Sequence, residues 1–269
     1  MNTRLTKEDQ AMIKEAKGNK VSGPIYSEDG LRLLKVLGNP EYLEVKDGVK
    51  AICDEACQGL DNLHDVVLPA SVIDLGTRAF ASCIKLFKIT MPGIEFIGIE
   101  CFAHCENLKE IALPETLDKI WKGAFASCKA LEQINIPSHL KIIDKSAFRN
   151  SGLKSLNIVI SDDCKCWIYD RAFAYCKHLE SVYLNKNVKI MERMAFADCT
   201  SLKTIEFEQP SLTCCAGEIN ATMLIGCTSL EKIIVPKNKY NHYPDFNIQG
   251  YESAQFETRD FNSLITPKE

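Results

Sequence analysis

The chain has 269 residues, of which 46% are hydrophobic and 25% are charged. This composition is ordinary for a globular protein and supplies enough apolar side chains for a large core. Lys and Arg total 32 against 36 Asp and Glu, which gives a net charge of −4. Because a phosphate-binding surface needs a basic excess, we expect no nucleic-acid partner. No apolar run approaches the ~20 residues that a membrane span needs, so we also expect no membrane insertion.

The first segment with a recognisable pattern is LTKEDQAMIKEAK, residues 5–17. Its apolar residues form a narrow stripe, which predicts a short amphipathic helix. Residues 1–20 as a whole lack the apolar core of a signal peptide. If Met1 is the native start, we therefore expect a cytoplasmic protein. If a leader was removed, we expect one that is secreted or at the cell surface.

An internal repeat fills the chain from residue 52 to residue 236. Each copy reads Ala-Phe-x-x-Cys followed by Leu-x-x-Ile-x-Leu, often with a Pro at its end, and has an apolar residue four positions before the Ala. The eight residues at the Ala position are 22 to 28 residues apart: Ala56, Ala79, Cys101, Ala124, Ala147, Ala172, Ala195 and Met223. Such regular spacing predicts a repeat architecture.

A unit of this length cannot bury its apolar face alone, so the units must stack on one another. The Leu-x-x-Ile-x-Leu segment ends in alternating apolar residues, which predicts a short strand, and the Pro marks where that strand ends. The Ala-Phe segment suits a single helical or 3₁₀ turn. We therefore predict an α/β solenoid: a curved, right-handed coil with one parallel sheet on its inner side and short turns on its outer side.

Two columns of core residues follow from stacking. We expect the phenylalanines to form a continuous spine: Phe80, Phe102, Phe125, Phe148, Phe173 and Phe196. The repeated cysteines should pack inward as small hydrophobic residues: Cys83, Cys105, Cys128, Cys176, Cys199 and Cys227. Strand spacing of ~5 Å would permit disulfides between repeats. However, the odd total of 13 cysteines and the length of the chain favour reduced, buried thiols.

The side chains between the apolar positions of each predicted strand should face solvent and form a binding surface. One column alternates in sign: Lys109, Glu132, Lys154, Glu180 and Lys203. Because neighbouring opposite charges neutralise one another, this column should not select a strongly charged partner.

Phe87 and Tyr183 are the large exceptions among mostly small polar neighbours on this surface. Exposed aromatic side chains often anchor protein interfaces, so both are candidate binding residues. For Phe87 the alternative is that its ring packs beneath the edge of the first repeat.

Two insertions, residues 161–167 and 208–219, should leave the coil as loops on one rim, where Trp167 is a further candidate anchor. They contain Cys164, Cys166, Cys214 and Cys215, which leave a thiol-redox or other enzyme open as an alternative. The rest of the chain shows no nucleophile motif, zinc-ligand spacing or Gly-rich phosphate loop. We therefore expect no enzyme, no metal and no cofactor.

The repeat resembles the BspA-like class of leucine-rich repeats, whose consensus couples an Ala-Phe turn and a Cys to Leu-x-x-Ile-x-Leu-Pro. The resemblance implies a leucine-rich-repeat solenoid of eight repeats over residues 52–236. It also implies an N-terminal segment with a capping hairpin over residues 1–51, where IYSEDGLRLLKV looks like the hairpin that precedes such repeats. A C-terminal cap would cover residues 237–269.

The same resemblance implies a non-enzymatic module that binds another protein, with adhesion or host-protein binding as the role of the family. We expect a protein partner and a monomeric chain. A self-associating structural protein, with Trp121 or an uncapped end making the contact, is a further alternative.

Overall fold

The computed structural model describes residues 2–190, 194–208, 221–236 and 255–259. They form a parallel β-solenoid of about eight turns preceded by one helix, α1 (Lys7–Gly18). The helix begins with a capping box, because the Thr6 hydroxyl accepts the Asp9 N–H at 3.1 Å and the Asp9 carboxylate accepts the Thr6 N–H at 2.8 Å. The amphipathic helix predicted near the N-terminus is therefore present.

A hairpin follows the helix, and α1 is fastened to it. Strand β1 (Gly23–Tyr26) pairs antiparallel with β2 (Arg32–Leu37). The Arg32 guanidinium donates two hydrogen bonds, of 2.9 and 3.0 Å, to the carboxylate of Asp9, which is only 3% exposed. Burial alone would raise the pKa of Asp9, but hydrogen bonds from Thr6 and Arg32 hold it below its ordinary value.

The turns of the solenoid contribute two sets of short strands, which stack as two separate arrays. We call the first array the continuous sheet, because its nine strands are hydrogen-bonded without a break. Every pair in it beyond β1–β2 is parallel. After the hairpin it contains β4 (Ala51–Ile52), β6 (Asp74–Leu75), β8 (Phe96–Ile97), β10 (Lys119–Ile120), β11 (Ile142–Ile143), β13 (Cys166–Ile168) and β15 (Val188–Ile190).

The second array contains the predicted Leu-x-x-Ile-x-Leu strands, and we call it the split sheet because it is divided in two. The four-stranded part contains β3 (Tyr42–Glu44), β5 (Asp65–Val67), β7 (Lys88–Thr90) and β9 (Glu110–Ile111). The five-stranded part contains β12 (Ser155–Ile158), β14 (Ser181–Leu184), β16 (Thr204–Phe207), β17 (Lys232–Pro236) and β18 (Gln255–Arg259). Residues 131–136 of the fourth repeat lie between the two parts and form no strand.

The predicted parallel strands are confirmed in seven of the eight repeats, but the expectation of one sheet was incomplete. In the first six repeats, the apolar residue four positions before the Ala lies in the continuous sheet, a second set of strands that was not predicted from the sequence. The Ala-Phe segments are turns, apart from a 3₁₀ helix at Ala221–Leu224 in the last repeat. The tail contributes β18, which pairs with β17; the rest of the proposed C-terminal cap lies outside the described residues.

The predicted phenylalanine spine is confirmed. All six rings are fully buried, their centroids follow one another at 5.2 to 5.6 Å, and the planes of successive rings lie within 9° of parallel. Offset stacking at this separation is favourable for aromatic rings. The spine therefore links the second repeat to the seventh.

The repeated cysteines are buried thiols, as predicted, and they are also hydrogen-bond donors. The Sγ of Cys105 lies 3.1 Å from the carbonyl oxygen of Phe80, and that of Cys128 lies 3.2 Å from Phe102. The same contact joins Cys176, Cys199 and Cys227 to the phenylalanine carbonyl that precedes each of them by 26 to 31 residues. No disulfide joins any of the eleven cysteines in the described ranges.

The turns carry a third row of hydrogen bonds along the stack. In the second repeat, Arg78 and Ser82 have φ angles of 54° and 60°, and residues at the same two positions of other repeats are also left-handed. Alternation of this kind directs every second amide toward the next turn. Phe80 donates to the carbonyl of Cys101 at 2.9 Å, and Ser82 to that of Ala103 at 2.8 Å.

Candidate protein-binding face

The solvent-facing side of the split sheet presents side chains from most of its strands in aligned columns. Strand β12 shows the pattern, because Ser155 and Asn157 are exposed while Leu156 and Ile158 are buried. Seven of the eight predicted binding residues lie on or next to this surface: Phe87, Lys109, Glu132, Lys154, Glu180, Tyr183 and Lys203.

The alternating charges pair between neighbouring repeats. Lys154 Nζ lies 2.8 Å from a Glu132 carboxylate oxygen, and Lys203 Nζ lies 2.9 Å from Glu180. The hydrogen bond from Lys154, helped by the charge of Lys109, lowers the pKa of Glu132. The hydrogen bond to Glu180 raises the pKa of Lys203. The column therefore neutralises itself, as the sequence indicated.

Phe87 is half-buried and packs on the first repeat. Its ring stacks on that of His64, with centroids 5.4 Å apart and planes 13° from parallel. The His64 Nδ1 lies in turn 2.7 Å from an Asp65 carboxylate oxygen. The alternative for Phe87, packing against the first repeat, is therefore observed, although part of the ring stays accessible.

Tyr183 lies in β14, in register with Asn157 on one side and Glu206 on the other. It is half-buried, and its hydroxyl lies 3.4 Å from a Glu208 carboxylate oxygen, to which it can donate. The ring therefore has polar neighbours on both adjacent strands and a fixed hydroxyl direction.

Trp167 is placed differently from the prediction. It lies in β13 of the continuous sheet, paired with Ile142 and Lys189, and not in a loop on the rim. The first insertion therefore rejoins the coil at Cys166. The regular position of Ile168, four residues before Ala172, could have identified this strand. Residues 209–219 of the second insertion lie outside the described residues.

The break in the split sheet is a feature that sequence analysis missed. The Asn135 side chain accepts the Leu113 N–H at 2.9 Å and donates to the Leu113 carbonyl at 2.8 Å, where a strand ladder would otherwise run. A cavity of about 840 Å³ lies over the break, lined among others by Thr90, Ala112 and Gln133. An Asn inside a predicted strand is disfavoured, but it did not signal the break, because Asn157 at the equivalent position of the next repeat lies in β12.

The described residues hold little that resembles a catalytic centre. Within them, no group of three His, Cys, Asp or Glu side chains is arranged to hold a metal ion. Cys166 is buried, and burial raises the pKa of its thiol, which weakens it as a nucleophile. Cys164 is half-buried, with its Sγ 3.4 Å from the His139 carbonyl oxygen. Cys214 and Cys215 lie outside the described ranges.

Among these described residues, no helix has both the length and the apolar character needed to span a membrane.

Comparison with known proteins places these features in a family. The profile of the BspA-type leucine-rich repeat region matches residues 50–165 and 157–251, with six copies of the repeat. The fold is thus a leucine-rich-repeat solenoid. The chain belongs to the BspA-type leucine-rich repeat family, whose members are generally non-enzymatic repeat proteins and often lie at the cell surface.

Several solved structures that are similar to the chain are leucine-rich repeat proteins. One from Bacteroides ovatus is 20% identical, with 80% of this chain and 74% of that chain covered and a TM-score of 0.42. A leucine-rich cell surface protein from Faecalibacterium prausnitzii is 18% identical, with 79% and 86% covered and a TM-score of 0.40. The T. pallidum leucine-rich repeat protein is 20% identical, with 80% and 79% covered and a TM-score of 0.38. No curated protein matches the chain.

Proposed function

We propose that the protein is a non-enzymatic recognition module that binds another protein on the split sheet. The observation that carries this proposal is the surface around Asn135, where a cavity of about 840 Å³ opens in an otherwise regular array of exposed side chains. Phe87 lies on the N-terminal side of this cavity and Tyr183 on the C-terminal side. Extended stacked surfaces of this kind are the usual binding sites of repeat proteins.

The chemistry of the surface supports a protein partner over a polyelectrolyte. Its charged side chains are already paired across repeats, as in Glu132–Lys154 and Lys88–Glu110, the latter at 3.1 Å. A partner of high charge density would therefore gain little net attraction. Aromatic anchors surrounded by neutralised polar groups are typical of protein interfaces.

Adhesion to a host protein is the role that we propose to examine first, because members of the family often lie at the cell surface. A cytoplasmic partner is the alternative. The partner would come from the host in the first case and from the producing cell in the second. The native protein is therefore used as bait against host surface proteins and against an extract of the producing cell.

The test compares the affinity of a captured partner for variants of the split sheet with its affinity for a variant outside that sheet. We expect Tyr183→Ala and Phe87→Ala each to weaken binding about 10-fold, as loss of an aromatic anchor does. Tyr175→Ala removes a half-buried tyrosine from a turn outside the split sheet and is the matched control. Unchanged binding by both split-sheet variants, with weakened binding by the control, would place the interface elsewhere.

A further inference from the structure

A second surface with an unusual composition lies on the continuous sheet. Three large apolar side chains are exposed there in neighbouring turns: Phe96 (47% exposed), Ile99 (38%) and Trp121 (36%). Together with Gly76, Gly98 and Asp74 they line a groove of about 400 Å³. Contiguous exposed apolar groups of this kind mark interaction sites more often than chance.

Strand register arranges the residues of this surface in two columns across β6, β8 and β10. Asp74 is in register with Phe96, and Ile97 with Ile120, which places Lys119 beside Phe96. The first column is therefore Asp74, Phe96, Lys119. The second column, two residues further along each strand, is Gly76, Gly98, Trp121.

The glycines of the second column keep the floor of the groove flat. A Cβ on Gly98 would lie 2.6 Å from the carbonyl carbon of Gly76, so the turns can approach this closely only without side chains. Trp121 stands at the C-terminal end of this floor. Lys119 Nζ lies 3.5 Å from the centre of the Trp121 ring and 3.0 Å from an Asp144 carboxylate oxygen, which holds the indole in place.

Each column is complementary to its own reverse. The first has a negative end, an aromatic centre and a positive end. The second has a glycine end bordered by Thr3, a flat glycine centre and a large aromatic end. A two-fold axis that lies in the interface and runs along β8 reverses the order of the strands. It therefore sets β6 of one copy opposite β10 of the other.

We propose that this surface binds a second copy of the chain, with the two-fold axis running along β8 over Phe96 and Gly98. Trp121 of each copy enters the groove above Gly76 of the other, Asp74 faces Lys119, and the two Phe96 rings meet on the axis. Interfaces with this symmetry must be self-complementary, and this surface satisfies the requirement in both charge and shape. The inference differs from the monomer expected from sequence and is independent of the function proposed for the split sheet.

The consequence for binding is a pair of recognition surfaces in one particle. Because the dimer interface uses the continuous sheet, both split sheets stay accessible. Two linked sites raise the apparent affinity for a partner that is displayed in many copies on a surface.

Sedimentation of the full chain at increasing micromolar concentration tests the dimer. We expect the weight-average mass to rise from the monomer value of 30.2 kDa toward twice that value. Phe96→Ser should keep the chain monomeric over the same range. Ile84→Ser, which removes a similarly exposed apolar side chain (43%) elsewhere, should leave the dimer intact. A wild-type chain that stays monomeric throughout, or an unchanged dimer of Phe96→Ser, would overturn the proposal.

A charge exchange tests the orientation of the axis. Asp74→Lys alone and Lys119→Asp alone each set like charges opposite one another and should each abolish self-association. Mixed in equal amounts, the two variants should form a heterodimer, because both contacts then join opposite charges. Failure of the mixture to associate, while both variants remain folded by circular dichroism, would overturn the proposed axis.

Discussion

At the scale of single residues, the repeated cysteine combines two roles, packing and hydrogen bonding. It fills an inward position, and its thiol donates to a carbonyl of the preceding turn. The Phe102 carbonyl, for example, accepts both the Cys105 N–H at 3.1 Å and the Cys128 thiol at 3.2 Å. Burial raises the pKa of Cys83 to about 12, so the thiol keeps the proton that it donates. In the fifth repeat Ser151, also buried, takes this position.

A pair of substitutions at Cys128 separates volume from hydrogen bonding. Cys128→Ala should lower the free energy of unfolding by about 1–2 kcal/mol, since it leaves a small cavity and removes a donor. Cys128→Ser keeps the donor and should cost less, as the presence of Ser151 at the equivalent position suggests. Chemical denaturation of both variants measures the difference. If serine costs as much as alanine or more, the hydrogen bond contributes nothing and packing alone explains the cysteines.

Periodicity predicted which residues are buried but not what they bond to. The spacing of Phe125 and Cys128 suffices to place both in the core. The thiol contact depends on left-handed residues such as Ser127, with a φ of 61°, which turn the backbone so that Cys128 faces Phe102. Serine is not enriched in the left-handed conformation, so the sequence did not indicate a left-handed residue at this position.

At the scale of secondary-structure elements, a buried ion pair fastens α1 in addition to the apolar packing of Ile13. Asp9 caps its own helix and binds Arg32 of β2, so helix formation and docking use the same carboxylate. Because the folded-state pKa of Asp9 is lowered, the pair stabilises the docked helix at neutral pH. This contribution is lost as the pH falls below the ordinary value of 3.8 and through the lowered pKa.

Asp9→Asn should detach or destabilise α1 by about 3 kcal/mol, the lower end of the range for a broken buried pair. Amide hydrogen exchange in residues 7–18 should become faster, while the phenylalanine spine stays protected. The wild-type helix should show the same change in acid, and the variant should no longer respond to pH there. Glu8→Gln, an exposed change in the same turn, is the control. Equal exchange in the wild type and in Asp9→Asn would argue against this role.

Elements with a long pattern were predictable, and the shortest ones were not. The Leu-x-x-Ile-x-Leu segments alternate over several residues, whereas β4 has only two residues, Ala51 and Ile52, and no period. Its hydrogen bonds come from neighbouring turns, which a single repeat does not show. The break at Asn135 was missed for the same reason, because it depends on a contact 22 residues away. The strand that contains Trp167 was predictable from the spacing of Ile168 and Ala172.

At the scale of the whole molecule, stability depends on contacts between adjacent turns. Phe125 stacks between Phe102 and Phe148 at 5.4 and 5.2 Å and touches no other ring of the spine. A solenoid of this kind behaves as a chain of nearest-neighbour couplings. Damage to one turn should therefore separate the stability of the two halves.

Phe125→Ala should cost about 3–5 kcal/mol and uncouple the turns on either side. We expect the single unfolding transition to split or broaden, with early loss of hydrogen-exchange protection around residues 119–143. The half with the helix and hairpin should keep its protection longer. A variant that melts in one unshifted, equally sharp transition would contradict a continuous spine.

The hydrogen bonds between turns run along the axis of the coil in every sheet and in the left-handed row of the turns. A force that pulls on the two ends acts parallel to these bonds and loads the hydrogen bonds of one turn at a time. The turns would then detach one after another, each at a similar, modest force. Such a chain extends gradually under load and dissipates energy in steps, a useful mechanical property in any protein that tethers one body to another.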